Sequence, residues 1–266
     1  MIIESVHNPR VKYIISLGKS KTRKKEKKFI VEGPHLVGEA INCFRESGKF
    51  PIDFILYSAD APADILKAAR NLGVSCFRTT ERVMREISEV ETPQGILAVV
   101  KEEEFNLNEV LGRKPPLIVF CIDVQDPGNL GTIIRTADAV SASGVILSKG
   151  TVDLYNPKVL RSTIGSIFHL PIVHVENIKE TIITLKQNGT KIIAAALDAK
   201  KSYFDADLGG PVAIIFGNES KGIGRQVEGL CDGSVKIPMP GKAESLNVGV
   251  SSAVILYEAL RQRSKA

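Results

Sequence analysis

Paired cysteines are missing from this chain. Cys43, Cys76, Cys121 and Cys231 stand too far apart for a Cys-x-x-Cys motif, which excludes the usual zinc and thiol-redox signatures. Cys43 and Cys121 lie in apolar stretches and read as buried, reduced thiols. His7, His35, His169 and His174 show no metal-ligand spacing, so no metal is expected. Tryptophan is absent, and no apolar run approaches the roughly 20 residues that a membrane-spanning helix needs. The opening MIIESVHNPRVKY has no secretory apolar core, so a cytoplasmic protein without membrane contact is expected. Neither a G-x-x-x-x-G-K-[ST] phosphate loop nor a G-x-G-x-x-G fingerprint opens a helix, which leaves a nicotinamide cofactor without support.

The composition is otherwise ordinary for a globular protein. Of 266 residues, 44% are apolar, enough for a packed core and for one large or two medium domains. A net charge of +5 says little, but its distribution says more. The stretch KSKTRKKEKK at 19–28 holds seven cations and one anion. Such a block is either a solvated loop or an electrostatic footprint for a polyanion.

Apolar strand-like runs alternate with helical patterns along the whole chain, which argues for an α/β fold with mostly parallel sheets. In the first part, KKFIVEG, FILYS, VSCFRT and GILAVV read as strands between amphipathic helices. The charged, Pro-terminated KEEEFNLNEVLGRKPP reads as a linker. The expected division is a smaller domain over 1–105, a linker over 106–116 and a larger domain over 117–266. In the larger domain LIVFCID, GVILS, PIVHV, KIIAAAL and VAIIFG read as strands. A last helix, with Val250, Val254, Tyr257 and Leu260 as its apolar stripe, closes the chain.

Three segments break this alternation with glycine, proline and polar residues directly after apolar runs. They are DPGNLGTIIRTADA at 126–139, FGNESKG at 216–222 and IPMPGKAESLNVGVSSAVILYE at 237–258. Strand ends of this kind converge on a ligand site in an open α/β sheet. In the first, Arg135 lies four residues after Gly131 and so shares a helix face with it, where it either meets a ligand or pairs with Asp138. In the second, the glycines let main-chain groups approach a ligand, and Glu219 either caps a helix or fixes a substrate group. In the third, Ser245 and Asn247 stand at a helix entry, where either is an N-cap candidate.

Taken together, N-x-G-x-x-x-R-T-A at 129–137, G-x-E-x-x-G at 217–222 and I-P-M…S-L-N-V at 237–248 resemble the motifs of the SpoU branch of the SPOUT methyltransferases. These enzymes methylate ribose 2′-hydroxyls of RNA with S-adenosylmethionine. The resemblance covers roughly 117–263 and implies a parallel sheet with a deep trefoil knot. Through N-P-x-V-K at 8–12 and F-I-V-E-G at 29–33, the first part resembles the family's substrate-binding domain, which is similar in fold to RNA-binding ribosomal proteins. The resemblance implies Arg135, Asn129, Glu219, Ser245 and Asn247 as the catalytic set. It implies Gly217, Ile237, Leu246, Ala196 and Leu197 as contacts of S-adenosylmethionine. It makes Arg10, Lys12, Lys24, Lys25, Lys27 and Lys28 candidate RNA contacts, and it implies a homodimer. Structured RNA of the large ribosomal subunit, 23S, is the favoured substrate by analogy. Transfer RNA and a non-catalytic RNA-binding role are the alternatives.

Overall fold

The computed structural model describes residues 2–264. In chain order its elements are β1 (Ile2–Ile3), α1 (Pro9–Leu17), α2 (Ser20–Glu26), β2 (Lys28–Glu32), α3 (Pro34–Ser47), β3 (Ile52–Tyr57), α4 (Ala63–Asn71), β4 (Ser75–Thr79), α5 (Glu81–Ile87) and β5 (Ile96–Lys101). There follow α6 (Leu107–Leu111), β6 (Leu117–Cys121), α7 (Pro127–Ala139), β7 (Gly144–Ser148), α8 (Pro157–Thr163), β8 (Ile172–Val175), α9 (Ile178–Gln187) and β9 (Lys191–Ala195). The last are β10 (Lys201–Ser202), β11 (Val212–Phe216), α10 (Arg225–Glu228), β12 (Gly233–Lys236) and α11 (Val248–Arg263).

These elements form two compact units. One runs to Glu103 and takes in Asp153–His169; the other holds Glu104–Val152 and what is described from Leu170 onward. The first unit is a five-stranded sheet in the order β1-β4-β3-β5-β2. The sequence reading expects mostly parallel strands here, and the sheet is mixed: β5 runs antiparallel to both β2 and β3. On one face Val11, Ile14 and Leu17 of α1 and Val83, Met84 and Ile87 of α5 pack on Phe54, Leu56, Leu97 and Val99.

The segment 153–169, expected in the larger domain, completes this first unit instead. Phe29 stacks on Tyr155 at 4.3 Å between ring centroids, and Phe168 meets Phe50 edge-on at 5.1 Å. The Lys-rich block also differs from a loop: it forms α2, and Arg23 within it is buried at 4% exposure. The Arg23 guanidinium donates to the Leu17 and Gly18 carbonyls and to Asp153 at 2.6 Å. Spacing alone does not separate Arg23 from its neighbouring cations, because what buries it is a residue 130 positions away.

The second unit is a seven-stranded sheet, β10-β12-β9-β11-β6-β7-β8, with every pair parallel. Its central strands β6, β7 and β11 are buried throughout, so their sequences are unbroken apolar runs. The expected linker 106–116 is not extended. Asn106 and Glu109 form a reciprocal capping box that starts α6, and Val110 of that helix is fully buried in the core. Successive strands leave β6 in opposite directions, through β7 to β8 on one side and through β11 to β9 and β12 on the other. The turns after β6 and β11 therefore diverge from adjacent strands, which opens a crevice at their carboxyl ends.

Burial pushes the Asp153 carboxyl up, but hydrogen bonds from Arg23, Ser20 and the Tyr155 amide, with the charge of Arg23, outweigh it and hold the group below its ordinary range. A carboxyl with a lowered folded-state pKa stabilises the fold above the unfolded value, near pH 4, and loses that contribution as pH falls through the folded value. Asp153→Asn is expected to be less stable than wild type near neutral pH. It is also expected to lose less further stability between about pH 5 and pH 2, as read from denaturant midpoints.

Candidate active site

The second unit contains a cavity of about 590 Å³ at the carboxyl ends of β9, β11 and β12. All five residues expected to contact the cofactor, Ala196, Leu197, Gly217, Ile237 and Leu246, line it. So do Glu219, Ser245 and Asn247 of the expected catalytic set. Asn129 and Arg135 do not.

Gly217 is required by close approach. A Cβ there would sit 2.4 Å from the Gly222 carbonyl carbon and 2.6 Å from the Ile223 side chain. The loop folds back so tightly because Asn218 and Gly222 exchange main-chain hydrogen bonds of 3.0 and 2.9 Å. Asn218 accepts at Oδ1 from the Ser220 and Lys221 amides and donates to the Asp123 carbonyl at 2.8 Å. The cavity wall here is main chain, as the glycines in the sequence suggest.

The three motifs meet through a chain of side chains. Glu219 Oε1 accepts from Asn129 Nδ2 at 2.9 Å, and Asn129 Oδ1 accepts from Asn247 Nδ2 at 2.7 Å. Asn247 Oδ1 accepts from the Gly249 and Val250 amides and so caps α11. At the other end Glu219 also accepts from the Gln125 and Asp126 amides, just before α7, whose own cap is Asp126. An ionised carboxylate only accepts and the helix amides only donate, so both asparagine orientations are fixed. Burial pushes the Glu219 carboxyl up, but the hydrogen bonds from Asn129, Asp126 and Gln125 outweigh it and hold the group ionised below its ordinary range. Glu219 therefore joins two loops, rather than serving as the helix cap of its own segment.

Arg135 is exposed on α7. Ser245 is exposed, and its hydroxyl has no partner among the described residues. The last helix departs from its expected stripe. Val250 and Tyr257 are 47% and 53% exposed, whereas Gly249, Ser252, Ile255, Leu256 and Ala259 are buried. The small residues let α11 close on α7: a Cβ at Gly249 would lie 3.1 Å from Thr132.

Among the candidate RNA contacts of the first unit, Lys12, Lys24 and Lys25 are exposed. Exposed Arg10 holds its guanidinium 4.0 Å above the Phe77 ring, and Lys27 is the left-handed cap of α2. Lys28 is half-buried and engaged with Asp53 at 2.7 Å. Cys121 is buried as expected, its thiol pushed up to about 12 by burial, while Cys43 is only half-buried. Among the described residues no group of side chains is arranged to hold a metal ion, and no helix is long and apolar enough to cross a membrane.

Residues 116–257 match the model of the SpoU rRNA methylase family. The chain belongs to this family. Residues 8–98 match the MRM3-like substrate binding domain. The chain is 38% identical to the 23S rRNA (guanosine(2553)-2′-O)-methyltransferase RlmP of Bacillus subtilis, over 96% of this chain and 97% of that one. It is 34% identical to a 23S rRNA (uridine(2479)-2′-O)-methyltransferase of Streptomyces viridochromogenes, over 93% and 87% of the two chains. The SpoU methyltransferase AviRb of the same organism, solved in complex with AdoMet, superposes with a TM-score of 0.89 at 29% identity, covering 98% of this chain and all of that one. An AdoMet-bound rRNA methyltransferase of Sinorhizobium meliloti gives 0.87 at 29% identity, over 98% and 97%.

The sequence reading of this SpoU chain missed Asp198, Lys221, Arg225, Glu228 and Lys236, which also line the cavity. Scattered charges near loops are common, and no spacing marks them. Glu219→Gln keeps the shape but sets an NH2 group against main-chain donors. It is expected to destabilise the fold by about 1–3 kcal/mol, measured from denaturant unfolding.

Proposed function

We propose that this SpoU protein transfers a methyl group from S-adenosylmethionine to a ribose 2′-hydroxyl of ribosomal RNA. The observation that carries the reading is the Glu219–Asn129–Asn247 chain, which ties three motif loops around one main-chain-walled cavity. The cavity fits the cofactor in kind: Gly217 lets its loop fold back so that main chain forms part of the wall, and Leu197, Ile237 and Leu246 supply apolar surface beside main-chain polar groups. When bound, the cofactor supplies an electrophilic sulfonium methyl, so no metal is required.

The residues of the chain then have to manage the acceptor. A ribose hydroxyl is a weak acid and must lose its proton as it attacks. Arg135 is assigned the acceptor's oxygen and adjacent phosphate. A guanidinium stays protonated, so it serves by stabilising developing negative charge and by clamping the phosphate. Asn129, Glu219 and Asn247 position the loops that carry it, and the free Ser245 hydroxyl is available to the substrate. Holding acceptor and methyl in line supplies further rate.

Arg135 does not line the cavity of its own chain, which supports a site completed in a homodimer. The exposed side of α7 carries Thr132 and Arg135, and the exposed side of the adjacent α11 carries Val250 and Tyr257. That apolar surface, unused within the chain, is assigned to the partner copy. The deep trefoil knot of the resemblance accompanies this reading. Full-length likeness to 23S rRNA enzymes supports large-subunit RNA as the substrate. A tRNA-modifying enzyme of A. aeolicus covers only 60% of this chain, at a TM-score of 0.51. In the first unit Lys24, Lys25, Arg10 and Lys12 are assigned to RNA phosphates.

Arg135→Ala is expected to lower transfer of labelled methyl to ribosomal RNA by about 100-fold or more while leaving donor affinity within about threefold. Wild-type turnover in that variant contradicts the role given to Arg135. Tyr257→Asp is expected to turn the dimer into a monomer by light scattering and to abolish methyl transfer with it.

A further inference from the structure

The cavity carries more charge than the motif residues account for. Asp198, Lys221, Arg225, Glu228 and Lys236 line it, and none of their side chains has a hydrogen-bond or ion-pair partner among the described residues. Glu228 and Lys236 are also half-buried. Withdrawing a charge from water is costly unless a partner compensates, so opposite charges on one half-closed cavity ordinarily pair. Here they stay apart.

The frame that holds them is fixed. Glu228 ends α10 and Lys236 ends β12, and the turn between them is pinned by Asp232, which accepts from the Ile192 amide at 2.8 Å and from Lys186 at 2.7 Å. The Ala196 amide donates to the Val235 carbonyl, which sets the apolar Ala196–Leu197 end of the cavity beside Lys236. The cavity is therefore lined both by apolar side chains, Leu197, Ile237 and Leu246, and by charged ones. Its ionisable lining balances, with Asp198, Glu219 and Glu228 against Lys221, Arg225 and Lys236. A lining with no net charge does not select a polyanion, whereas it offers a zwitterion a partner for each of its ends.

We infer that Lys236 and Glu228 hold the amino-acid end of the methyl donor, Lys236 taking its carboxylate and Glu228 its ammonium. Exposed Arg225 and Asp198 repeat the same pair of charges closer to water. This rests on the donor reading above and deepens it: the motif loops hold the nucleoside, and residues outside every motif hold the amino acid. Recognition of both ends also separates the intact donor from adenosine-like molecules of similar shape.

The test is calorimetry with two ligands. S-adenosylhomocysteine carries the amino acid; 5′-methylthioadenosine keeps the nucleoside and thioether without it. Wild type is expected to bind both, the first more tightly. Lys236→Met and Glu228→Gln are each expected to raise the Kd for S-adenosylhomocysteine roughly tenfold while moving that for 5′-methylthioadenosine less than about twofold. Unchanged affinity for S-adenosylhomocysteine in both variants overturns the assignment. Equal losses for both ligands overturn it too, since they mark the two residues as supports of the cavity wall. If wild type binds neither ligand, the donor reading itself falls.

Discussion

A carboxylate that can only accept and a helix end that can only donate fix the direction of everything between them. Glu219 stands at one end, the first turn of α11 at the other, and Asn129 and Asn247 hand the hydrogen bonds across. The three motifs are far apart in sequence, so the Glu219–Asn129 and Asn129–Asn247 contacts each close a long loop. The order of residue types is what makes the connection specific. Reversing either amide would set donor against donor or leave a partner empty, which costs more than the bond is worth when made.

This link depends on the sheet beneath it. From β6 the chain passes to β7 on one side and from β11 to β12 on the other, so the turns after these neighbouring strands part at the same edge. Glu219 spans that gap from the β11 side to Gln125, Asp126 and Asn129 on the β6 side. Fully buried parallel strands below leave no slack in the ends of the loops. Precision in the site is thus borrowed from packing in the core, while the wall facing the ligand is left to glycines and main chain.

Much of the site was legible because glycine, proline and polar residues interrupt buried strands at just these points. Gly217 could be read as a close approach, and the cavity does bring Ala196, Leu197, Gly217, Ile237 and Leu246 together. Less legible were residues whose role is set by distant partners. Arg23 is one of seven cations and is distinguished from the other six by its contacts with Leu17, Gly18 and Asp153. The segment 153–169 follows β7 in the chain, yet Tyr155 and Phe168 fill the core of the first unit, a long-range choice that periodicity cannot show. On α11 the apolar stripe pointed to the wrong face. Gly249 and Ser252 admit α7 at close range, and Val250 and Tyr257 are left outside. Apolar residues mark burial in general, and here a close backbone approach needed small side chains more than large ones.

A crystal structure of the protein with S-adenosylhomocysteine tests the central claim most directly. The account requires the adenosine to lie between Ala196–Leu197, Gly217 and Ile237, with the Glu219–Asn129–Asn247 hydrogen bonds intact. A ligand bound elsewhere on the chain, or a cavity that fills only when those hydrogen bonds break, would contradict it.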